Sequence, residues 1–328
     1  MATLGANVLT LADRAKRLDP DGKPAHIVEM MSQNNEILED IGFKEGNLDT
    51  GEKTTVRTGL PSVAWRVINK GVGRSKSTTA QVVEGCGMLE ARSAVDEELV
   101  RLGGPGLRLS ESSAFIEAMS QEFASTFFYG NTGVNPEEIL GLATRFSSLS
   151  AENARNIVDA GGTGSDNASV WLGVWHEQGM YGIFPKGSEA GLSHEDLGKR
   201  TVLDDDGDEY EALVDVWKWK VGLTLKDWRQ VARVCNIDIS DLRTISGAAD
   251  LVEKMILATY KIEKLTMGKP VWYMNRTVAQ YLEILMRNDV SAGGGLMFSN
   301  ADGKPIRSFR GIPIRLTDAL LNTESRVT

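Results

Sequence analysis

Residues 54–89 constrain the fold of this chain more than any other stretch. They read TTVRTGLPSVAWRVIN, KGVGRSK and STTAQVVEGCGML. Val63, Trp65 and Val67 alternate with Ala64 and Arg66, the period of a strand exposed on one side. Gly71 and Gly73 supply a turn, so one long β-hairpin is predicted. The region is also basic: between positions 44 and 76 stand Lys44, Lys53, Arg57, Arg66, Lys70, Arg74 and Lys76, against Glu45, Asp49 and Glu52. The whole chain has a formal net charge of −9. A basic hairpin on an acidic body is suited to docking on neighbours. The overall sign argues against general nucleic-acid binding, which needs surplus Lys and Arg to neutralise phosphates.

At 328 residues, the chain should hold about two structural units. Its 41% hydrophobic and 25% charged residues exclude a wholly disordered, collagenous or membrane-embedded protein. Cys86 and Cys235 are the only cysteines, too few for a Cys-rich zinc module or a disulfide framework. They read as ordinary thiols of a reducing compartment. The start MATLGANVLTLADRAKRLD lacks the basic head and apolar run of a secretory signal. Nowhere do 18 uninterrupted apolar residues occur, so a soluble, unexported protein with no membrane contact is expected.

Residues 1–45 read as an extended arm, broken by Pro20, Gly22 and Pro24, that carries one helix. In IVEMMSQNNEILEDI, positions Ile27, Met30, Met31, Asn34, Ile37, Leu38 and Ile41 recur at threes and fours. That stripe needs a partner surface, which makes Ile37 and Leu38 candidate inter-subunit contacts. A stronger helix is predicted over 110–129, capped by Ser110 or Ser112, ended by Gly130 and faced by Ile116, Met119, Phe123 and Phe127. Between 131 and 196, the glycines and aromatics of GGTGSDN, SVWLGVWHEQ and GMYGIFP read as strands joined by loops. Next comes a second hairpin: Trp217, Trp219 and Val221 alternate with Lys218 and Lys220, and Asp206 and Gly207 lie near its turn. The last third reads as α/β. Leu251, Met255, Ala258, Ile262 and Leu265 form a helix face closed by Gly268 and Pro270; VWYMN forms a strand; Asn275 caps a helix faced by Val278, Tyr281, Leu282 and Leu285; and a strand through Ile312, Ile314 and Leu316 follows Gly311.

The search for chemistry finds little. GGTGSDN offers Gly161, Gly162 and Gly164 but not the lysine of a phosphate loop. His26, His176 and His194 are isolated, and neither His-Glu pair is followed by the second histidine of a zinc-protease helix. Asp204, Asp205, Asp206, Asp208 and Glu209 supply oxygens, but the bidentate glutamate of a calcium loop is absent. A solvated hairpin tip is the simpler reading of that cluster. No G-x-S-x-G elbow occurs. No catalytic residue, cofactor or metal site is therefore assigned, and the chain is expected not to be an enzyme. What remains is a set of interaction elements: an arm, a basic hairpin and an acid-tipped hairpin projecting from a body. Unpaired edges and apolar stripes invite other chains, although the same elements also fit the interior of a monomeric α+β domain.

The order of elements, with the long stretches MATLGANVLTLADRAKRLDPDGK, NNEILEDIGFKEGN, EFASTFFYGNTGVNPEEILGL, KPVWYMNRTVAQYLEIL and FRGIPIRLTDAL, resembles the major capsid proteins of tailed bacteriophages. Their fold takes its name from coliphage Hong Kong 97. The likeness runs over nearly the whole chain and is nearest to short-tailed phages.

The resemblance implies an α+β fold with an N-terminal arm (1–45), an extended loop (46–92), a peripheral domain (93–165 and 196–245) with a spine helix, and an axial domain (166–195 and 246–328). The hairpin around DVWKWKVGLTL precedes the axial block, where the commonest family order has the long strands last, so a permuted connection is expected. The implied function is self-assembly of hexamers and pentamers into an icosahedral head around double-stranded DNA. Implied partners are a separate scaffolding protein, a portal protein and a decoration protein. The implied location is the virion, with assembly in the host bacterial cytoplasm. Some relatives cross-link a loop lysine to an asparagine; Lys70 and Lys76 sit near the right loop, but no asparagine or glutamate matches the motif, so a non-covalent shell is expected. Inter-subunit contacts are expected at Arg66, Lys70, Arg74 and Lys76 and at Asp204, Asp205, Asp206 and Asp208. An encapsulin-like nanocompartment and a soluble hydrolase are the alternatives.

Overall fold

A computed structural model describes residues 35–204, 206–288, 296–301 and 304–328. Most of the predicted arm lies outside the described residues, and within them its helix is the single turn α1, Ile37–Asp40. Further α-helices among the described residues are α2 (Glu97–Gly103), α3 (Pro105–Tyr129), α4 (Leu142–Arg145), α5 (Ile245–Lys261) and α6 (Arg276–Asn288). The strands are β1 (Phe43–Glu45), β2 (Gly51–Gly59), β3 (Thr78–Asp96), β4 (Ile157–Asp159), β5 (Asn167–Trp175), β6 (Met180–Phe184), β7 (Leu192–Leu203), β8 (Glu209–Leu225), β9 (Val231–Asp238), β10 (Lys269–Met274), β11 (Leu296–Ala301), β12 (Lys304–Phe309) and β13 (Ile312–Leu316).

β5 is the axis of the fold. All nine of its residues are buried, because it pairs with β9 on one edge and β10 on the other while both of its faces are covered. The two-residue period sends Ala168, Val170, Leu172 and Val174 to one face. There they join Ala232 and Val234 of β9, Trp272 and Met274 of β10, and the apolar faces of α5 (Leu251, Met255, Ala258) and α6 (Val278, Leu282). Trp171 and Trp175 point the other way, into a second core with Phe123, Phe127 and Phe128 of α3, Leu142 of α4 and Ile37. Val158 of β4 and Ala168 of β5, on either side of residue 165, share the first core.

α3 is longer than predicted. It starts at Pro105 after a Gly104 cap, not at Ser110 or Ser112, since proline is favoured in the first helical turn. Ser112 and Ser113 turn their hydroxyls back to carbonyls of the preceding turn instead. At about 1.5 Å per residue the helix is about 38 Å long. Met119, Phe123 and Phe127 are buried as expected, whereas Ile116 is 45% exposed. The Asn275 cap is present: its side chain accepts from the Val278 amide at 2.8 Å.

Two β-ribbons leave this body. β3 pairs with β8 from Cys86 to Asp96 and with β2 from Thr78 to Gly85, so β2 and β3 project as a hairpin beyond residue 85. β7 pairs with β8 alone and closes at the acidic tip. Strand structure stops at Gly59 and resumes at Thr78, and residues 60–77 form a loop. The predicted strand through Val63, Trp65 and Val67 is absent because none of the described residues pairs with it. The turn falls at 67–70, where the Lys70 amide bonds the Val67 carbonyl and Asn69 takes φ of 67°, rather than at Gly71 and Gly73.

Phe127→Ala should destabilise the unassembled subunit by about 3–5 kcal/mol in urea unfolding, and Ile116→Ala by less than about 1 kcal/mol. Equal losses would contradict the assignment of the buried face of α3.

Candidate functional site

The root of the projecting hairpin is fixed by two carboxylates that face one another across β2 and β3, Glu52 opposite Glu84. Like charges so placed repel unless each is matched, and here each is. Glu84, 6% exposed at its side chain, receives both guanidinium nitrogens of Arg145 at 2.6 Å. Glu52 accepts from the Tyr181 hydroxyl at 2.6 Å and lies 3.3 Å from the Lys226 ammonium. Burial, and then the bond to Glu52, hold the Tyr181 phenol well above its ordinary value, so it remains a donor. Gly51 has to be glycine: a Cβ would sit 2.0 Å from the Glu84 carbonyl oxygen. The hairpin therefore leaves the body in a set direction.

What it carries outward is the loop. Leu60, Val63, Trp65, Val67 and Ile68 are between 69% and 102% exposed. Arg66 donates to the Lys70 carbonyl at 3.1 Å and Ser75 to the Ser62 carbonyl at 2.8 Å, which gives the loop internal shape. Arg66, Lys70, Arg74 and Lys76 are all exposed. From Lys53 to Lys76 the sequence holds six cations and no carboxylate.

A groove of about 250 Å³ lies at the middle of β3, just past the hairpin root. Its floor is Met88, Leu89, Phe123, Ile139 and Val221, and its rim is Glu122, Glu137 and Glu138. Glu138 accepts from Asn135 at 2.6 Å and Glu122 from Thr126 at 3.4 Å. No cation pairs with these three carboxylates among the described residues. Sequence reading missed the groove because β3, α3 and the loop after α3 contribute to it from separate segments.

The predicted acidic contacts are arranged differently from the basic ones. Asp204 accepts from the amides of Asp206 and Asp208 at 3.0 and 2.8 Å, so it builds the turn, with Gly207 at φ of 89°. Asp205 lies outside the described residues. This tip sits beyond the Asp96 end of β3 and the basic loop beyond the Thr78 end, about 60 Å apart at some 3.3 Å per residue. One chain cannot join them. Ile37 needs correction as an inter-subunit contact, since it is fully buried in its own core, against which the half-buried Leu38 packs. Arg315 and Tyr273 clasp the neighbouring Asp40, all at 3.1 Å.

Near the start of α3, Arg108 bridges Asp215 on β8 (2.6 and 2.8 Å) and Asp196 on β7. His194 lies 2.8 Å from Asp215 and stacks on Trp217. This cluster ties helix to ribbon. Both cysteines are free, and burial pushes each thiol up to about 11, leaving them protonated. Among the described residues, no cluster of His, Cys, Asp and Glu is placed to hold a metal, and no helix is long and apolar enough to cross a membrane.

Two ribbons thus project from a layered core, leaving an apolar loop and a groove on its surface. The family model for major capsid protein GP7 matches residues 19–328. A chain of the cryo-EM structure of bacteriophage epsilon15 shares 35% identity and a TM-score of 0.78, over 100% of this chain and 99% of that one. The bacteriophage JBD30 capsid shares 11% identity and a TM-score of 0.52, over 90% of this chain and 94% of that one; that likeness concerns the fold. No curated protein matches. The class is thus a tailed-phage capsid subunit with the Hong Kong 97-type fold, a virion component and not an enzyme. The chain belongs to the major capsid protein GP7 family. Membership decides against the nanocompartment and hydrolase alternatives.

The Arg108 bond holds the Asp196 carboxyl below its ordinary 3.8. A depressed folded value stabilises the fold above the unfolded value and stops doing so as pH falls through the folded one. The unfolding midpoint of the subunit should therefore fall as pH drops below the ordinary carboxyl value of 3.8, and Arg108→Met should flatten that fall. An identical pH profile in the variant would contradict the role given to this pair.

Proposed function

We propose that copies of this subunit form rings of five and six that close as an icosahedral shell around double-stranded DNA, with residues 60–77 of each copy lying in the acid-rimmed groove of the next. The observation that carries this reading is the loop: five large apolar side chains stand in water beside uncompensated cations. Burying such a side chain is worth about 1.5–3 kcal/mol, so five are worth on the order of 10 kcal/mol before ordering costs. The groove offers the complement, an apolar floor and three carboxylates that pair with no cation among the described residues. A chain's own loop cannot supply the match, because Thr78 and Gly87 are nine strand residues apart, about 30 Å.

Loop and groove are different surfaces, so the contact is head-to-tail, the kind that closes rings. Each subunit makes two such contacts, one through its loop and one through its groove, and the pair energies add around the ring. Within this reading, residues 1–45 are the arm, 46–92 the extended loop, 93–165 and 196–245 the peripheral part, and 166–195 and 246–328 the part around the ring centre. A separate scaffolding protein, a portal and a decoration protein complete the particle, which forms in the host cytoplasm. The net charge of −9 suits a wall that does not hold the genome's phosphates.

Replacing Arg74 and Lys76 by Glu should cut the particle count in negative stain by about tenfold or more, with the circular dichroism of the unassembled subunit unchanged; wild-type counts would refute the loop's role. Boiled, reduced particles should run as one band near the chain mass of 35.7 kDa, and a ladder of multiples would contradict a non-covalent shell.

A further inference from the structure

Residues 321–328 run across the Trp171 side of the sheet and are held along their length. The Glu324 amide bonds the Asn167 carbonyl at 2.8 Å; Val327 exchanges amide and carbonyl bonds with the Asn236 side chain at 2.8 and 3.0 Å; and the Leu149 amide bonds the Thr328 carbonyl at 3.1 Å. Glu324 and Val327 are both buried, each 6% exposed. One carboxylate oxygen accepts from Arg233 at 2.7 Å and from Ser169, and the other accepts from Tyr129 at 2.6 Å. Arg233 is itself 3% exposed and lies over the Trp171 ring at 4.9 Å.

We propose that residues 321–328 are a strap occupying a peptide-binding cleft of the body, and that seating Glu324 on Arg233 is the condition for a subunit to enter the shell. The inference rests on the shell reading above. The cleft is walled by α3, β5, β9 and the segment through Leu149, and its recognition is that of a short extended peptide with one carboxylate. With the strap out, Arg233 keeps Ser169 and the Phe146 carbonyl but has no carboxylate, and a buried unpaired cation is strongly destabilising. Tyr129 loses its acceptor at the same moment. It ends the helix whose Phe123 floors the groove, six residues or about 9 Å away, so strap release and groove disorder are joined through α3. Ninety-one residues separate Arg233 from Glu324, and a chain in synthesis therefore holds β9 long before it can neutralise it. Assembly is thereby withheld from a nascent chain until residue 324 has emerged.

The test uses full-length chains and two readouts. Arg326 is exposed while Val327 beside it is buried and bonded, so tryptic cleavage after Arg326 reports a released strap, and particle yield reports entry into the shell. Glu324→Gln should raise the cleavage rate about tenfold or more and lower the yield about fivefold or more. The pair Arg233→Met with Glu324→Met removes both charges and should return both readouts to within about threefold of wild type. Wild-type yield from Glu324→Gln with a released strap would overturn the proposal, as would unchanged cleavage. Should Glu324→Gln fail to fold, the pair decides: a pair no better than the single change overturns it. Failure of the wild-type chain to form particles would instead overturn the shell reading.

Discussion

Strand β5 is buried on both faces and both edges, and everything else in the subunit hangs from that arrangement. Its alternate residues feed two separate cores, one closed by α5 and α6 and the other by α3, α4 and Ile37. Helices on both faces of one sheet are a standard solution to burying two apolar surfaces. The result is a rigid block from which long ribbons can project without needing a core of their own.

Projection carries an electrostatic condition. Two glutamates face one another at the hairpin root, and each is neutralised from a different element of the body, Arg145 of α4 for Glu84 and Lys226 after β8 for Glu52. Buried ion pairs add little net stability but are costly to leave half-made, so the root tolerates few alternative orientations. A directed hairpin presents its apolar, cationic loop where another copy can meet it, and about 30 Å along the same strand the chain keeps the apolar, anionic groove. Repetition of one head-to-tail contact between loop and groove would close a ring of copies.

Much of this was legible in the sequence wherever a period or a punctuating residue marked it. The buried face of α3, the Asn275 cap, the β8 alternation and the Asp206-Gly207 turn all lie where local pattern put them. The misses are equally physical. Val63, Trp65 and Val67 have the strand period but no strand among the described residues to pair with, and period alone does not make a strand. Ile37 looked like an exposed stripe because its cover, the second core, comes from residues more than eighty positions away. The groove, the Glu84–Arg145 pair and the Arg233–Glu324 pair join segments far apart in sequence, and no spacing rule announces them.

The central claim is that the loop of one copy fills the groove of another, and a high-resolution cryo-EM map of the assembled particle tests it most directly. The account predicts Trp65 of one subunit within about 4.5 Å of Met88, Phe123 or Val221 of its neighbour, with Glu137 or Glu138 beside a loop cation. A particle in which Trp65 stays in solvent, or touches only its own chain, would contradict it.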